Sequence, residues 1–392
     1  MKRFLALLTA CATVFAFSAC GQKETGNSNG TATEGDSANT LVIGGIGPLT
    51  GAAATYGNSV KNGAQLAVDE INEAGGVNGM KLELKFQDDE HDAEKAVNAY
   101  NTLKDEGMQL LMGTVTSTPC VAVVAKTAED NMFQITPSGS AVECVSSDNA
   151  FRICFSDPNQ GAASAKYIAE NKLATKVAVI YNSSDVYSSG IYQTFASEAQ
   201  KDGIDIVTAQ AFTKDNATDF SVQIQKIKES GAELVFLPIY YQEAALILTQ
   251  AQKAGLETKF FGCDGLDGLI GQLGDDVALA DGVMLLTPFA ADAQDEATVK
   301  FVTAYKAKYK DEVPTQFAAD AYDAIYTIKA ALEKADVKDA SISASDLCDK
   351  LVPVMTEIEV KGVTGTMTWD SKGEPTKDPK AMVTENGAYK AM

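Results

Sequence analysis

Along the chain the apolar positions switch repeatedly between strand-like runs and a helical period. Leu41-Val42-Ile43 opens a short β run that Gly44-Gly45, Gly47-Pro48 and Gly51 interrupt. From Ser59 to Asn72, the residues Val60, Ala64, Ala67, Val68 and Ile71 recur at helical spacing, and Gly75-Gly76 ends that helix. A strand over Lys81–Gln87, a helix over Ala93–Lys104 and a strand over Gln109–Met112 follow. Thr118-Pro119 reads as an N-cap residue with proline in the first helical position, opening a helix to about Asp130. Met132–Thr136 and Phe151–Phe155 read as further strands.

The pattern then restarts. Helices are expected over Asn159–Asn171, Tyr187–Asp202, Phe220–Glu229 and Glu243–Ala254. Between them lie strands over Lys176–Tyr181, Ile204–Ala211, Glu233–Pro238, Lys259–Phe261 and, later, Val283–Leu286. Three helices without strands of their own (Asp295–Lys308, Gln316–Glu333, Ser345–Val354) are expected to pack back on the first block. Thr366–Trp369 and Ala381–Thr384 supply late strands. Alternation of this kind predicts parallel sheets covered by helices on both faces. Two such blocks predict an α/β fold with two doubly wound parallel-sheet lobes joined by a hinge with multiple crossovers. The expected lobes are 41–157 plus 288–365, and 158–287 plus 366–392. No repeat of 20–50 residues is visible in the sequence.

The first forty residues stand apart. Met1-Lys2-Arg3 is a basic start, and the apolar run Phe4 to Phe17 is shorter than the roughly 20 residues that span a bilayer, which suits a signal peptide over 1–19. Phe17-Ser18-Ala19-Cys20 resembles the lipobox of bacterial lipoproteins, with Phe17 where leucine is usual and Cys20 as the lipidated residue. Leu8-Thr9-Ala10-Cys11 also fits the pattern but would leave a further apolar stretch after the anchor. From Cys20 to Thr40 there is no Leu, Ile, Val or aromatic residue, so 20–40 reads as a flexible tether. The competing reading is simple secretion with Cys20 a free thiol. The expected location is outside the cytoplasmic membrane, held to its outer face by the lipid.

The 392 residues carry 32 Lys+Arg against 53 Asp+Glu, a formal charge of −21. Losing Lys2 and Arg3 with the leader leaves 30 against 53, or −23. That charge disfavours nucleic acid as a partner. One histidine, His91, excludes multi-histidine metal sites. The body cysteines (Cys120, Cys144, Cys154, Cys263, Cys348) contain no C-x-x-C pair, so neither a disulfide framework nor a zinc site is expected. Cys144 and Cys154 flank a polar turn and either bridge there or remain thiols.

Motifs for catalysis are missing. Gly45-x-Gly47-x-x-x-Gly51 has the wrong spacing for a dinucleotide fingerprint, and Gly51 to Gly57 lacks the Lys-Ser/Thr of a P-loop. There is no G-x-S-x-G and no H-E-x-x-H. Asp88-Asp89-Glu90-His91-Asp92 reads as a solvated or hinge-side acidic turn, because five consecutive residues cannot converge on one ion. The expectation is a binding protein with no enzymatic activity, no metal and no cofactor.

A resemblance sharpens this. Gly47-Pro48-Leu49-Thr50-Gly51, Tyr56-Gly57, Gly63 through Asn72, and Ala74 through Gly79 are similar to the start of the Leu/Ile/Val-binding proteins. Asp88-Asp89, Gly113 to Ser117, Ile135 to Ser138, Tyr240 to Glu243, Gly262 to Gly265 and Thr368 to Gly373 continue the likeness. These proteins are the extracytoplasmic receptors of branched-chain amino-acid ABC transporters, with the type I periplasmic-binding-protein fold. The resemblance implies a monomeric two-lobed clamp that takes an amino acid, Leu, Ile or Val, and delivers it to a membrane permease. A receptor of the same fold for an aliphatic amide, an organic acid or an aromatic compound is the alternative, and a ligand-sensing protein a further one.

The resemblance also assigns residues. Ser117, at the start of a helix, and Ser140 would hold the ligand carboxylate, the latter through its N–H and hydroxyl. Ser138 would offer its carbonyl to the ammonium, within the segment Ser138-Gly139-Ser140. Asp264, where the best-known members carry glutamate, would pair with the ammonium. Tyr240 would line the cleft, and Tyr56 and Tyr187 would wall the ligand side chain. The positions of the disulfide in those members correspond to His91 and Thr116, so that bridge is absent.

Overall fold

The computed structural model describes residues 39–377 and 379–392; the leader, Cys20 and most of the tether lie outside the described residues. The first block builds β1 (Thr40–Gly47), α1 (Ala54–Glu73), β2 (Lys81–Asp88), α2 (Ala93–Asp105), β3 (Leu110–Gly113), α3 (Ser117–Glu129), β4 (Gln134–Thr136) and β5 (Ala150–Arg152). The second builds α4 (Asp157–Glu170), β6 (Lys176–Asn182), α5 (Val186–Lys201), β7 (Asp205–Phe212), α6 (Ser221–Ser230), β8 (Leu234–Leu237), α7 (Tyr241–Lys253), β9 (Lys259–Gly262), α8 (Leu269–Leu273) and β10 (Met284–Thr287). Then come α9 (Glu296–Lys308), α10 (Gln316–Lys334), α11 (Ala344–Met355), the hairpin β11 (Val360–Gly362) and β12 (Gly365–Met367), and finally β13 (Lys380–Glu385) and β14 (Ala388–Ala391).

The two large sheets share one topology. The first runs β2-β1-β3-β4-β5, all parallel. In the second, β7-β6-β8-β9-β10 repeats that order in parallel, and β13 and β14 extend it antiparallel beyond β10. The central strands β3, β8 and β10 are buried at every residue, as expected for strands covered on both faces. Strand order reverses beside β1 in one sheet and beside β6 in the other. Open α/β sheets bind ligands at such switch points, outside the carboxyl ends of the strands.

The chain enters the second sheet after β5, leaves it after β10, and returns for β13. In between, α10 packs on α1, as the strandless late helices were expected to pack. A Cβ on Gly63 of α1 would lie 2.0 Å from the Ala318 carbonyl oxygen of α10, so only glycine permits this approach. Phe301 of α9 packs against Tyr322 of α10 with ring centroids 4.8 Å apart, completing that layer. The segment before β13 is pinned by Lys377, whose ammonium lies 2.8 Å from Asp320 of α10, both side chains almost fully buried.

Two elements differ from the sequence expectation in ways that matter. α3 begins at Ser117 with Thr116 in the cap position, rather than being capped by Thr118. The Thr118 hydroxyl is used elsewhere, donating to Asp185 Oδ1 at 2.9 Å. α1 begins at Ala54, ahead of the apolar period that marks it, because Ala53-Ala54-Thr55 carries little hydrophobic signal. Helix α8 and strand β14 are additional. The five body cysteines are buried free thiols, so Cys144 and Cys154 do not bridge.

Candidate ligand-binding site

The ends of the strands beside both switch points converge on one small cleft, closed down to about 10 Å³ of free space. From the first sheet come Tyr56 after β1, Val115 to Ser117 after β3, and Ser138 after β4. From the second come Tyr187 after β6, Tyr240 after β8, and Asp264 with Gly265 after β9. Phe317, at the start of α10, closes one side and packs against the Tyr56 ring with centroids 4.3 Å apart.

Ser117 stands in the first turn of α3, where backbone N–H groups have no intrahelical acceptor and the helix dipole favours negative charge. Its Oγ accepts from the amides of Ser140 and Ala141, each at 3.1 Å. With its acceptor capacity so used, the hydroxyl proton is left to donate. Ser138 Oγ donates to the Val115 carbonyl at 2.6 Å, which locks the β4 loop onto the β3 loop.

Gly139 and Ser140 sit behind this corner rather than on the cavity wall. The Gly139 carbonyl accepts from the Arg152 guanidinium at 3.1 Å, and its amide donates to Thr136 Oγ1 at 2.8 Å. The Ser140 amide is taken by Ser117, so of the two groups expected to meet a carboxylate only its hydroxyl remains unengaged, buried and without a partner.

Across the cavity, Asp264 follows β9 and is almost wholly buried. Tyr187 donates its hydroxyl to Oδ1 at 2.7 Å and Gln160 of α4 its amide to Oδ2 at 3.0 Å. Burial pushes the carboxyl up to about 7, opposed by the Tyr187 bond. An ammonium group beside it would draw it back to the carboxylate form. Gln316, the first residue of α10, donates to the Asp264 carbonyl at 2.8 Å and accepts from Thr287 Oγ1 at 3.0 Å, tying the site to the crossover after β10.

The tyrosines form a linked cluster. Tyr187 stacks on Tyr240 at 4.9 Å, and Tyr240 meets Tyr56 edge-on at 5.4 Å. The Tyr240 hydroxyl is buried without a partner. The Tyr56 hydroxyl spans the cleft, donating to the Gly265 carbonyl at 2.5 Å and accepting from the Tyr241 amide at 3.2 Å.

Sequence reasoning overlooked Gln160, Gln316 and Phe317, which touch the site from helix starts that carry no motif. It also read the turn 88–92 as solvated or hinge-side, whereas its parts divide. Asp92 caps α2, Asp89 is buried with its carboxyl pushed up to about 7, and His91 lies 2.8 Å from Thr116 Oγ1 and edge-on to Tyr240. A histidine next to a helix cap gives no signal of this position.

Two lobes with the same strand order, meeting over a shared cleft lined by tyrosines, serines and an aspartate, define a solute receptor of the bilobal α/β class. The chain belongs to the periplasmic binding protein family, whose model matches residues 40–386. It is 32% identical over 342 residues to Leu/Ile/Val-binding protein homolog 3 of Brucella melitensis, covering 85% of this chain and 88% of that one. It is 33% identical to the Leu/Ile/Val-binding protein BraC3 of Rhizobium johnstonii, over 84% and 90% of the two chains. Among solved structures, the branched-chain amino acid transporter substrate binding protein LivJ of Streptococcus pneumoniae, in complex with isoleucine, superposes with a TM-score of 0.81. That likeness has 28% identity and covers 90% of this chain and 98% of LivJ. A benzoate-bound ABC transporter solute binding protein of R. palustris reaches a TM-score of 0.80 at 20% identity, which establishes the shared fold alone.

Proposed function

We propose that this protein is an extracytoplasmic receptor of an ABC importer that captures a branched-chain or other aliphatic amino acid and delivers it to a membrane permease. One observation carries the reading: the cleft has the donor-rich start of α3 on one lobe and the Asp264 carboxyl on the other. A zwitterion needs both, a donor cluster for its carboxylate and an anion for its ammonium. The relatives named for Leu, Ile and Val, and the isoleucine complex of LivJ, support the choice of side chain.

In this reading Ser117 and the Ser140 hydroxyl, carried by the Ser138-Gly139-Ser140 segment, serve the carboxylate, and Asp264 with Tyr187 and the Ser138 carbonyl the ammonium. Tyr56 and Tyr240 close over the side chain. The ligand favours closure because only closed lobes join the two charged ends of the site. The lobes are taken as 41–157 plus 288–365 and 158–287 plus 366–392. Cys20 would carry the lipid that keeps a monomer at the outer face of the membrane, and the chain would bind without transforming its ligand.

A thermal-shift panel of the twenty amino acids, 4-methylpentanoate and benzoate tests this. A ligand that binds only the folded state raises the melting midpoint with its occupancy. Leucine, isoleucine or valine should give the largest shifts. A shift with benzoate and none with any aliphatic amino acid would replace this reading with the aromatic-acid alternative.

A further inference from the structure

Resting on that reading, we propose that Asp157 is a second carboxylate of the ligand site, holding the ligand ammonium jointly with Asp264 and making the site selective for amine-bearing solutes. Asp157 opens α4, is 1% exposed, and has neither carboxylate oxygen in a hydrogen bond. A buried carboxylate without donors is costly unless it is neutralised or paired. Burial holds its carboxyl well above the usual range.

In the closed form Asp157 stands behind the cavity wall beside Ser140, and its helix sets it next to the ammonium end. Gln160, one turn further along α4, reaches Asp264 Oδ2, so the same face of the same helix delivers both residues to that corner. The Asp157 amide donates to the Ser140 carbonyl at 2.8 Å, and the Ser140 hydroxyl lies beside the carboxylate but outside hydrogen-bonding geometry. On the far side, a Cβ on Gly190 of α5 would come within 3.0 Å of Asp157 Oδ2, so glycine leaves the carboxylate its space. The cation that also acts on Asp157 is Arg152, and its terminal nitrogens are engaged by the carbonyls of Gly139 and Ala141 and by Glu374. Among the described residues, no donor completes Asp157.

The donor count of the ligand then matches. An ammonium carries three N–H donors and no acceptor. Asp264 already accepts from Tyr187 and Gln160, one bond on each oxygen, which leaves a lone pair on each for further donors. Asp157 supplies a second acceptor, and the Ser138 carbonyl a third. A solute with a carboxylate but no amine would bring no donor to either carboxyl and no charge to ionise them.

Isothermal titration of the full chain with L-leucine and with 4-methylpentanoate, its deaminated counterpart, tests the assignment on wild type and Asp157→Asn. Wild type should prefer leucine strongly. The substituted amide is isosteric and neutral, so leucine should weaken by tenfold or more while 4-methylpentanoate stays level or tightens. Should the variant not fold, Asp157→Ser provides the same neutral comparison. Leucine preference unchanged in a folded variant would overturn the role of Asp157 alone. Equal weakening of both solutes would also overturn it, since that reports a structural role. Wild type binding the acid as tightly as leucine, or binding neither, would overturn the amino-acid reading and this inference with it.

Discussion

At the residue scale the site is a balance of buried carboxylates. Asp264 and Asp267 are each pushed up to about 7 by burial, as are Asp89 and Glu243, and Asp320 to about 6. A carboxyl raised in the fold binds protons that the unfolded chain has lost, so it favours the native state as pH falls from about 7 towards 4. His91 opposes this, since burial lowers its pKa, but it is a single group. Carboxylates held low, such as Asp88 and Asp130, weaken the fold only below about 4, outside this window. Calorimetric melting of the empty protein should therefore give a higher midpoint at pH 5.5 than at 7.5. A saturating amino acid should shrink the difference, because its ammonium stabilises ionised Asp264. Asp264→Ala should abolish amino-acid binding in titration calorimetry, and unchanged affinity would remove Asp264 from the site.

At the scale of elements, helix starts do most of the positioning: α3 brings Ser117, α4 brings Asp157 and Gln160, and α10 brings Gln316 and Phe317. α10 also anchors the last crossover through the buried Asp320–Lys377 pair. Lys377→Met should leave Asp320 buried without its counter-charge, lowering stability by about 3–5 kcal/mol in urea unfolding. The alternation of strands and helices was legible in the sequence because its apolar periods are long and regular. So were Ser117, Tyr187, Tyr240 and Asp264, through a family resemblance rather than through their own chemistry. Asp157 was not: an acid in the first turn of a helix usually does no more than complement the dipole, and only packing shows that it has no donor. Gln316 was hidden for a similar reason, since its partners Asp264 and Thr287 are far from it in sequence.

At the scale of the molecule, the two lobes are held together over the cavity by direct bonds. Besides the Tyr56 hydroxyl, Thr118 of α3 donates to Asp185, the cap of α5. Tyr56→Phe should remove both cross-cleft bonds of that hydroxyl while keeping the ring. The empty variant should then show a larger radius of gyration than wild type in small-angle scattering, converging on it when ligand is added. The Tyr56 clasp has a kinetic meaning as well. Its bonds run from protein to protein, from α1 to the loop after β9 and the start of α7, and so are the same whatever solute lies beneath. Escape of any solute must first break them. Opening the clasp is then a step shared by entry and escape of every solute, and solutes of different affinity would differ by the bonds to the two lobes that each must break in addition before it leaves.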